Sequence, residues 1–289
     1  MRFLARAFAA ALASVSVAVP VIAAQAPNAA AVPTWAPAAT APIHPGVQTV
    51  TAGGQCTANF VFYGASNTVY IGQAAHCSGT GGNTATNGCT SGSLPIGTAV
   101  QVGGASRPGT LVYNSWLTMQ AAGETNPDAC AFNDLALVKL DPADFGKVNP
   151  SIPFWGGPTG IDTNGTVQGE NVYSYGNSSL RGGVTQLSPK RGVSLGDNGN
   201  GWSHDVYTAS PGIPGDSGSA FVNSSGAALG VLSTVQIAPI AGSNGVGDVN
   251  LEINYMHAHS SFSGVQLALG TQPFNANAGA AGLGLPLGI

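Results

Sequence analysis

Three short segments carry the residue types that acyl transfer needs. Gly215-Asp216-Ser217-Gly218-Ser219 holds a serine between glycines, Ala74-Ala75-His76-Cys77 holds a histidine, and Asn133-Asp134-Leu135-Ala136-Leu137 holds an acid ahead of an apolar run. A serine hydroxyl is a weak nucleophile until a histidine takes its proton. That histidine needs a buried carboxylate to keep it in one tautomer and to stabilise its positive charge. The chain offers one candidate for each role, in the order His76, Asp134, Ser217.

Each candidate has a local context that suits its task and a plainer use that the same residues would serve. Phe60 to Tyr63 and Thr68 to Ile71 are two β-type runs separated by Gly64-Ala65-Ser66-Asn67, which predicts a hairpin whose second strand delivers His76. Asp134 precedes Leu135-Ala136-Leu137-Val138-Lys139-Leu140, a run apolar enough to be a buried strand. A carboxylate at its mouth is costly to desolvate unless a donor such as an imidazole N–H meets it; capping a turn is the plainer use. Glycines at 215 and 218 let the backbone turn sharply, so that the amides of Gly215 and Ser217 converge on the oxyanion formed when Ser217 attacks a carbonyl. A hairpin turn would use the same Gly, Asp and Ser.

The elements that must position these groups are short. The 289-residue chain has 42 glycines, and its apolar stretches are repeatedly interrupted by Gly, Asn, Ser and Pro, as in all-β sandwiches and barrels. Met1 to Ala24 carries Arg2 and Arg6, an uncharged Ala/Val/Leu-rich run, and small residues at Val21-Ile22-Ala23-Ala24, the pattern of a cleaved export signal. Residues 25–50 read as a Pro/Ala-rich linker or pro-segment, 51–270 as the folded domain and 271–289 as a loosely ordered tail. Removing Arg2 and Arg6 from the eight basic residues leaves six against twelve acidic ones, which excludes the basic footprint of a nucleic-acid binder. No other stretch is long and apolar enough for a membrane span, so a secreted, extracellular, monomeric protein without a membrane contact after signal removal is expected.

Cys56, Cys77, Cys89 and Cys130 are an even number in a chain with an export signal, which predicts two disulfides with three pairings open. No CxxC pair or close Cys/His knuckle points to a metal. His204, in Trp202-Ser203-His204-Asp205, reads as a structural residue, and the two-residue separation of His257 and His259 is not that of a helical metal pair.

Taken together, the three segments resemble the His, Asp and Ser motifs of the chymotrypsin-like serine proteases, over roughly Gln55 to Leu269. Gly230-Val231-Leu232-Ser233 is similar to the strand along which that family's substrates pair. The resemblance implies two six-stranded Greek-key β-barrels with the active site between them and a C-terminal helix around Asn254 to Leu269. It implies a secreted endopeptidase that cleaves protein or peptide substrates without a cofactor: His76 as base then acid, Asp134 orienting it, Ser217 forming the acyl-enzyme, Gly215 and Ser217 as the oxyanion hole. It also implies a Cys56–Cys77 bridge at the histidine loop, which leaves Cys89 for Cys130 across a loop rich in Gly, Ser and Thr.

Placed by the same resemblance, the base of the primary specificity pocket falls at Pro211, Gly212 and Ile213, and the opposite wall at Ser233, Thr234 and Val235. None is acidic, so an uncharged residue before the scissile bond is expected. Val50-Thr51-Ala52-Gly53-Gly54 is only a faint echo of the family's new N-terminus, and no Arg or Lys precedes it. Asp216 therefore needs another cation, with Arg181 or Arg191 as candidates. The other readings of these motifs are an esterase using the same triad, against which the His, Asp, Ser order speaks, and an inactive homologue kept for binding.

Overall fold

The computed structural model describes residues 31–278 except 53, 83, 84 and 238; the export signal expected over 1–24 lies outside these residues. The chain runs through β1 (Gln48–Thr51), β2 (Gly54–Thr57), β3 (Val61–Tyr63), β4 (Val69–Ala74), β5 (Ala99–Val102) and β6 (Gly109–Asn114). Two short helices, α1 (Ser115–Ala122) and α2 (Pro127–Phe132), lead into β7 (Leu135–Lys139). The second half holds β8 (Asn171–Tyr175), β9 (Pro189–Asn198), β10 (Ser203–Thr208), β11 (Ala220–Val222), β12 (Ala228–Val235) and β13 (Asn244–Asp248). Helix α3 (Val249–His259) and a last strand, β14 (Gln266–Leu267), complete the fold.

The predicted hairpin forms as β3 and β4, with Val61 opposite Ile71. The tight connection puts Ser66 and Asn67 at positive φ, 57° and 55°, a conformation asparagine tolerates better than most residues. The second half is a closed six-stranded barrel in the order β10-β13-β12-β11-β8-β9. The first half, the counterpart of the other expected barrel, is a half-barrel sheet. It is an eight-stranded sheet in the order β14-β3-β4-β7-β6-β5-β1-β2, because β14 returns after α3 to pair with β3 while the β1–β2 hairpin occupies the other edge.

The stretch expected as a loop between Cys89 and Cys130 instead contains β5, β6, α1 and α2. Its helices rest on local capping that composition hides: Asn114 accepts from the amides of Trp116 and Leu117, and Gly123 closes α1 in the left-handed region. Asn126 caps α2, which has Pro127 in its first turn. Helix α3 starts before the expected Asn254, at Val249, because Asp248 caps it by accepting from Leu251 N at 2.7 Å.

The described parts of the two ends, 31–50 and 271–278, pack more than expected. Ile43 is fully buried and pairs with Val148, Ala36 N donates to Val148 O at 2.9 Å, and Trp35 meets the ring of Tyr63 edge-on. In the tail, Thr271 N donates to Ser151 Oγ at 2.9 Å, Phe274 stacks edge-on against Tyr173, and Asn275 N donates to Trp155 O. Proline forbids regular ladders but not burial of the apolar side chains between prolines. Strands β4 and β7 are covered on both faces, so the sheet centre that carries the histidine and aspartate is among the most buried parts of the molecule.

Candidate active site

The antiparallel register of β4 and β7 places Ala74 opposite Leu135, so the residues just beyond each strand end meet. Ala75 N donates to Asp134 O at 2.7 Å and His76 N donates to Asp134 Oδ1 at 2.9 Å. The ring follows: His76 Nδ1 donates to Asp134 Oδ2 at 2.6 Å, which leaves Nε2 as the acceptor nitrogen. The imidazole rides on a 3₁₀ turn, Ala75–Ser78, fastened to β2 by the Cys56–Cys77 disulfide. That bond also consumes the two thiols near His76, removing them as thiolate ligands.

Asp134 is 2% exposed and lies in a full hydrogen-bond shell. Ser233 Oγ donates to its Oδ2 at 2.6 Å, and its own backbone N donates to Glu252 Oε1 at 2.8 Å. Burial alone would depress the His76 pKa, but the charge of Asp134 and the hydrogen bond to it outweigh that cost and hold the pKa above the usual imidazole value.

Ser217 sits on a turn that only glycine can make. Gly215 and Gly218 have φ of +96° and +87°, and a Cβ on Gly218 would lie 2.6 Å from Thr57 O and 2.8 Å from Ala74 N. Pro214 O accepts from Ser178 Oγ, so across the planar peptide the Gly215 N–H points away from Ser178. Gly215 O accepts from Thr57 Oγ1 at 2.8 Å, and Ser217 O accepts from Thr57 N at 2.8 Å. Neither the amides of Gly215 and Ser217 nor the Ser217 hydroxyl has a hydrogen-bond partner among the described residues. Nucleophile and base are commonly out of bonding contact in a substrate-free site and draw together on binding.

Ser217 and His76 line one cleft of about 570 Å³ between the sheet and the barrel. Of the residues expected to shape the specificity pocket, Ile213, Ser233, Thr234 and Val235 line this cleft. Pro211 and Gly212 do not. Pro211 O is taken by Lys190 Nζ and by Arg181, and the buried Gly212 N donates to Asn244 Oδ1 at 3.0 Å.

Asp216 is fully buried and meets two cations, Arg181 and Lys190, the latter at 3.0 Å. Ser178 N and Ile213 N complete its shell. Arg181 was one of the two candidates; Arg191 instead lies over the ring of Tyr173. Lys190 could not be singled out in the sequence because alternation along β9 alone decides that it points inward. Burial, opposed by Asp216, brings its pKa below the usual lysine value. Residues 51 and 54, in the faint N-terminal echo, are paired within the β1–β2 hairpin.

Glu252, Asn244 and the Asp134 contact of Ser233 carry no local motif, since each acts on a partner far along the chain. Cys89 and Cys130 form the second disulfide. His204 is fully buried between Asp197 and Asp248, away from the cleft lining, and His257 meets Val265 O at 2.8 Å.

No protein-family model and no curated protein matches the chain. Solved structures do match: protease A of Thermobifida fusca is 17% identical with a TM-score of 0.50, over 79% of this chain and 99% of that one. A Nocardiopsis protease (19% identical, TM-score 0.48, 78% and 98% covered) and a chymotrypsin of Cellulomonas bogoriensis (17%, 0.47, 78% and 98%) also align. The chain therefore has the chymotrypsin-like fold of bacterial serine proteases.

Proposed function

We propose that the chain is a secreted serine endopeptidase acting on proteins or peptides through His76, Asp134 and Ser217. The observation that carries this is the His76–Asp134 pair, short, buried on the acid side and open on the Nε2 side, facing the same cleft as a serine flanked by uncommitted amides. Ser217 Oγ attacks the scissile carbonyl as His76 Nε2 takes its proton, and the amides of Gly215 and Ser217 hold the resulting oxyanion. The imidazolium then protonates the departing amine, and water repeats the sequence to release the acid. Every group in these steps belongs to the chain, so no cofactor is invoked.

An uncharged residue before the scissile bond is favoured because the described cleft lining includes no acidic and no Lys or Arg side chain. Two disulfides support an extracellular location. Among the described residues no helix is long and apolar enough to cross a membrane, and action as a monomer is part of the proposal.

The test is labelling with a fluorophosphonate together with digestion of a diverse peptide library. Wild type is expected to label and cut; Ser217→Ala is expected to do neither, with kcat lower by on the order of 10⁶-fold. Peptide binding by wild type without labelling or turnover would instead establish the binding homologue.

A further inference from the structure

In the endopeptidase reading, on which this inference rests, the residue before the scissile bond must enter between Gly212 and Ile213 on one side and Ser233, Thr234 and Val235 on the other. One side chain stands behind that gap. Asn244, on β13, accepts from Gly212 N through Oδ1 at 3.0 Å and donates through Nδ2 to Thr234 O at 3.2 Å. It is fully buried, and β13 holds its backbone between β10 and β12, opposite Val206 and Val235.

The remaining space is equally scarce. A Cβ added to Gly212 would lie 2.9 Å from Asn244 Nδ2 and 3.0 Å from Leu232 Cδ2, so the amide and the leucine crowd the backbone at Gly212. Leu232 lines the open cleft whereas Asn244 and Gly212 do not, which places the amide immediately behind the cleft floor. Swinging it aside would strand the buried Gly212 N–H without its partner, so the amide is a fixed floor rather than a gate.

We propose that Asn244 sets substrate choice by closing the primary pocket, so that the enzyme cleaves after small uncharged residues (Gly, Ala, Ser) and rejects Leu, Phe and larger side chains. Its natural substrates are then chains with small residues at exposed, extended sites.

The experiment uses peptides differing only before the scissile bond, with the protein concentration normalised by fluorophosphonate titration. For wild type, kcat/KM for the Ala peptide is expected to exceed that for the Phe peptide by about 100-fold or more, the range in which pocket fit discriminates. In Asn244→Ala that ratio is expected to fall by at least about tenfold, through a gain on the Leu and Phe peptides. Wild type cutting after Phe as readily as after Ala would overturn the inference whether or not the variant folds, and so would an unchanged ratio in a folded Asn244→Ala. Failure of wild type to label or to cut any peptide is a different result, and it would remove the endopeptidase reading itself.

Discussion

The carboxylate of Asp134 accepts from three directions, His76 N, His76 Nδ1 and Ser233 Oγ, so its position relative to the imidazole is over-determined. In the proposed reaction the neutral imidazole accepts the serine proton, and activity should therefore appear as pH rises through the His76 pKa. Because Asp134 holds that pKa above 6.5, the acid limb of kcat/KM is expected to have its midpoint above 6.5. Asp134→Asn should move the midpoint down and lower kcat by on the order of 10⁴-fold; an unmoved midpoint in a pH profile would contradict the assignment. Behind the aspartate, burial and the charges of Asp134 and Asp248 push the Glu252 carboxyl well above the usual range, although the Asp134 amide it accepts from pulls the other way. It therefore serves as a neutral acceptor for the Asp134 amide. Glu252→Gln should keep the acid limb in place because an amide oxygen accepts equally well. Glu252→Leu should lower kcat by about 10- to 100-fold through a displaced aspartate, with KM little altered. Steady-state profiles of both variants check this.

Each element that feeds the cleft is fixed by contacts outside its own sequence. Strands β9 and β10 and the start of α3 are clamped by His204, whose Nδ1 meets Asp197 Oδ1 at 2.7 Å and whose Nε2 meets Asp248 Oδ2 at 3.0 Å. Both ring nitrogens facing carboxylates means both donate, so the native ring is the imidazolium. Burial works against that charge, but the hydrogen bonds and charges of Asp248 and Asp197 prevail and raise the pKa. A pKa raised on folding stabilises fully below the unfolded value near 6.5 and is lost as pH rises through the folded value. Asp197 has the opposite sign: although burial opposes it, its hydrogen bonds with His204 and Thr166 lower its pKa, so its share is lost as pH falls through that lowered value. Thermal melts of wild type should thus show Tm declining on the alkaline side above about 6.5. His204→Gln should flatten that decline; an identical alkaline slope in the two proteins would show that the clamp does not bear on stability.

The cleft exists only because the two halves dock. Thr57, at the end of β2, reaches Gly215 and Ser217 in the turn between β10 and β11; Ser233, from the barrel, reaches Asp134; Glu252, from α3, reaches the same aspartate. The Cys56–Cys77 bridge lies within this junction, lining the cleft, whereas Cys89–Cys130 ties the segment before β5 to α2 outside it. With a sequence separation of 41, the second bridge is expected to contribute about 4 kcal/mol by limiting the unfolded chain. Replacing Cys89 and Cys130 together by Ser should lower urea-unfolding stability by about that amount, with cleavage at 25 °C retained. Loss of cleavage in a protein that still unfolds cooperatively would show instead that the bridge shapes the cleft.

The amino-acid sequence by itself determined the three candidate groups and their immediate frames. His76, Asp134 and Ser217 were legible because each lies at the end of a short apolar run or in a glycine turn whose geometry is local, and the β3–β4 hairpin was legible for the same reason. Composition misled where caps rather than helix formers decide, as in α1 and α2, and where apolar residues between prolines find a surface, as in the segment around Ile43. Only the tertiary structure decided that the first sheet stays open with β14 on its edge, that Lys190 joins Arg181 on Asp216, and that Glu252 and Asn244 stand behind the site. Those outcomes depend on pairings such as the one between Asp134 and Glu252, 118 residues apart, whose stabilisation comes from burial and desolvation that no local pattern encodes.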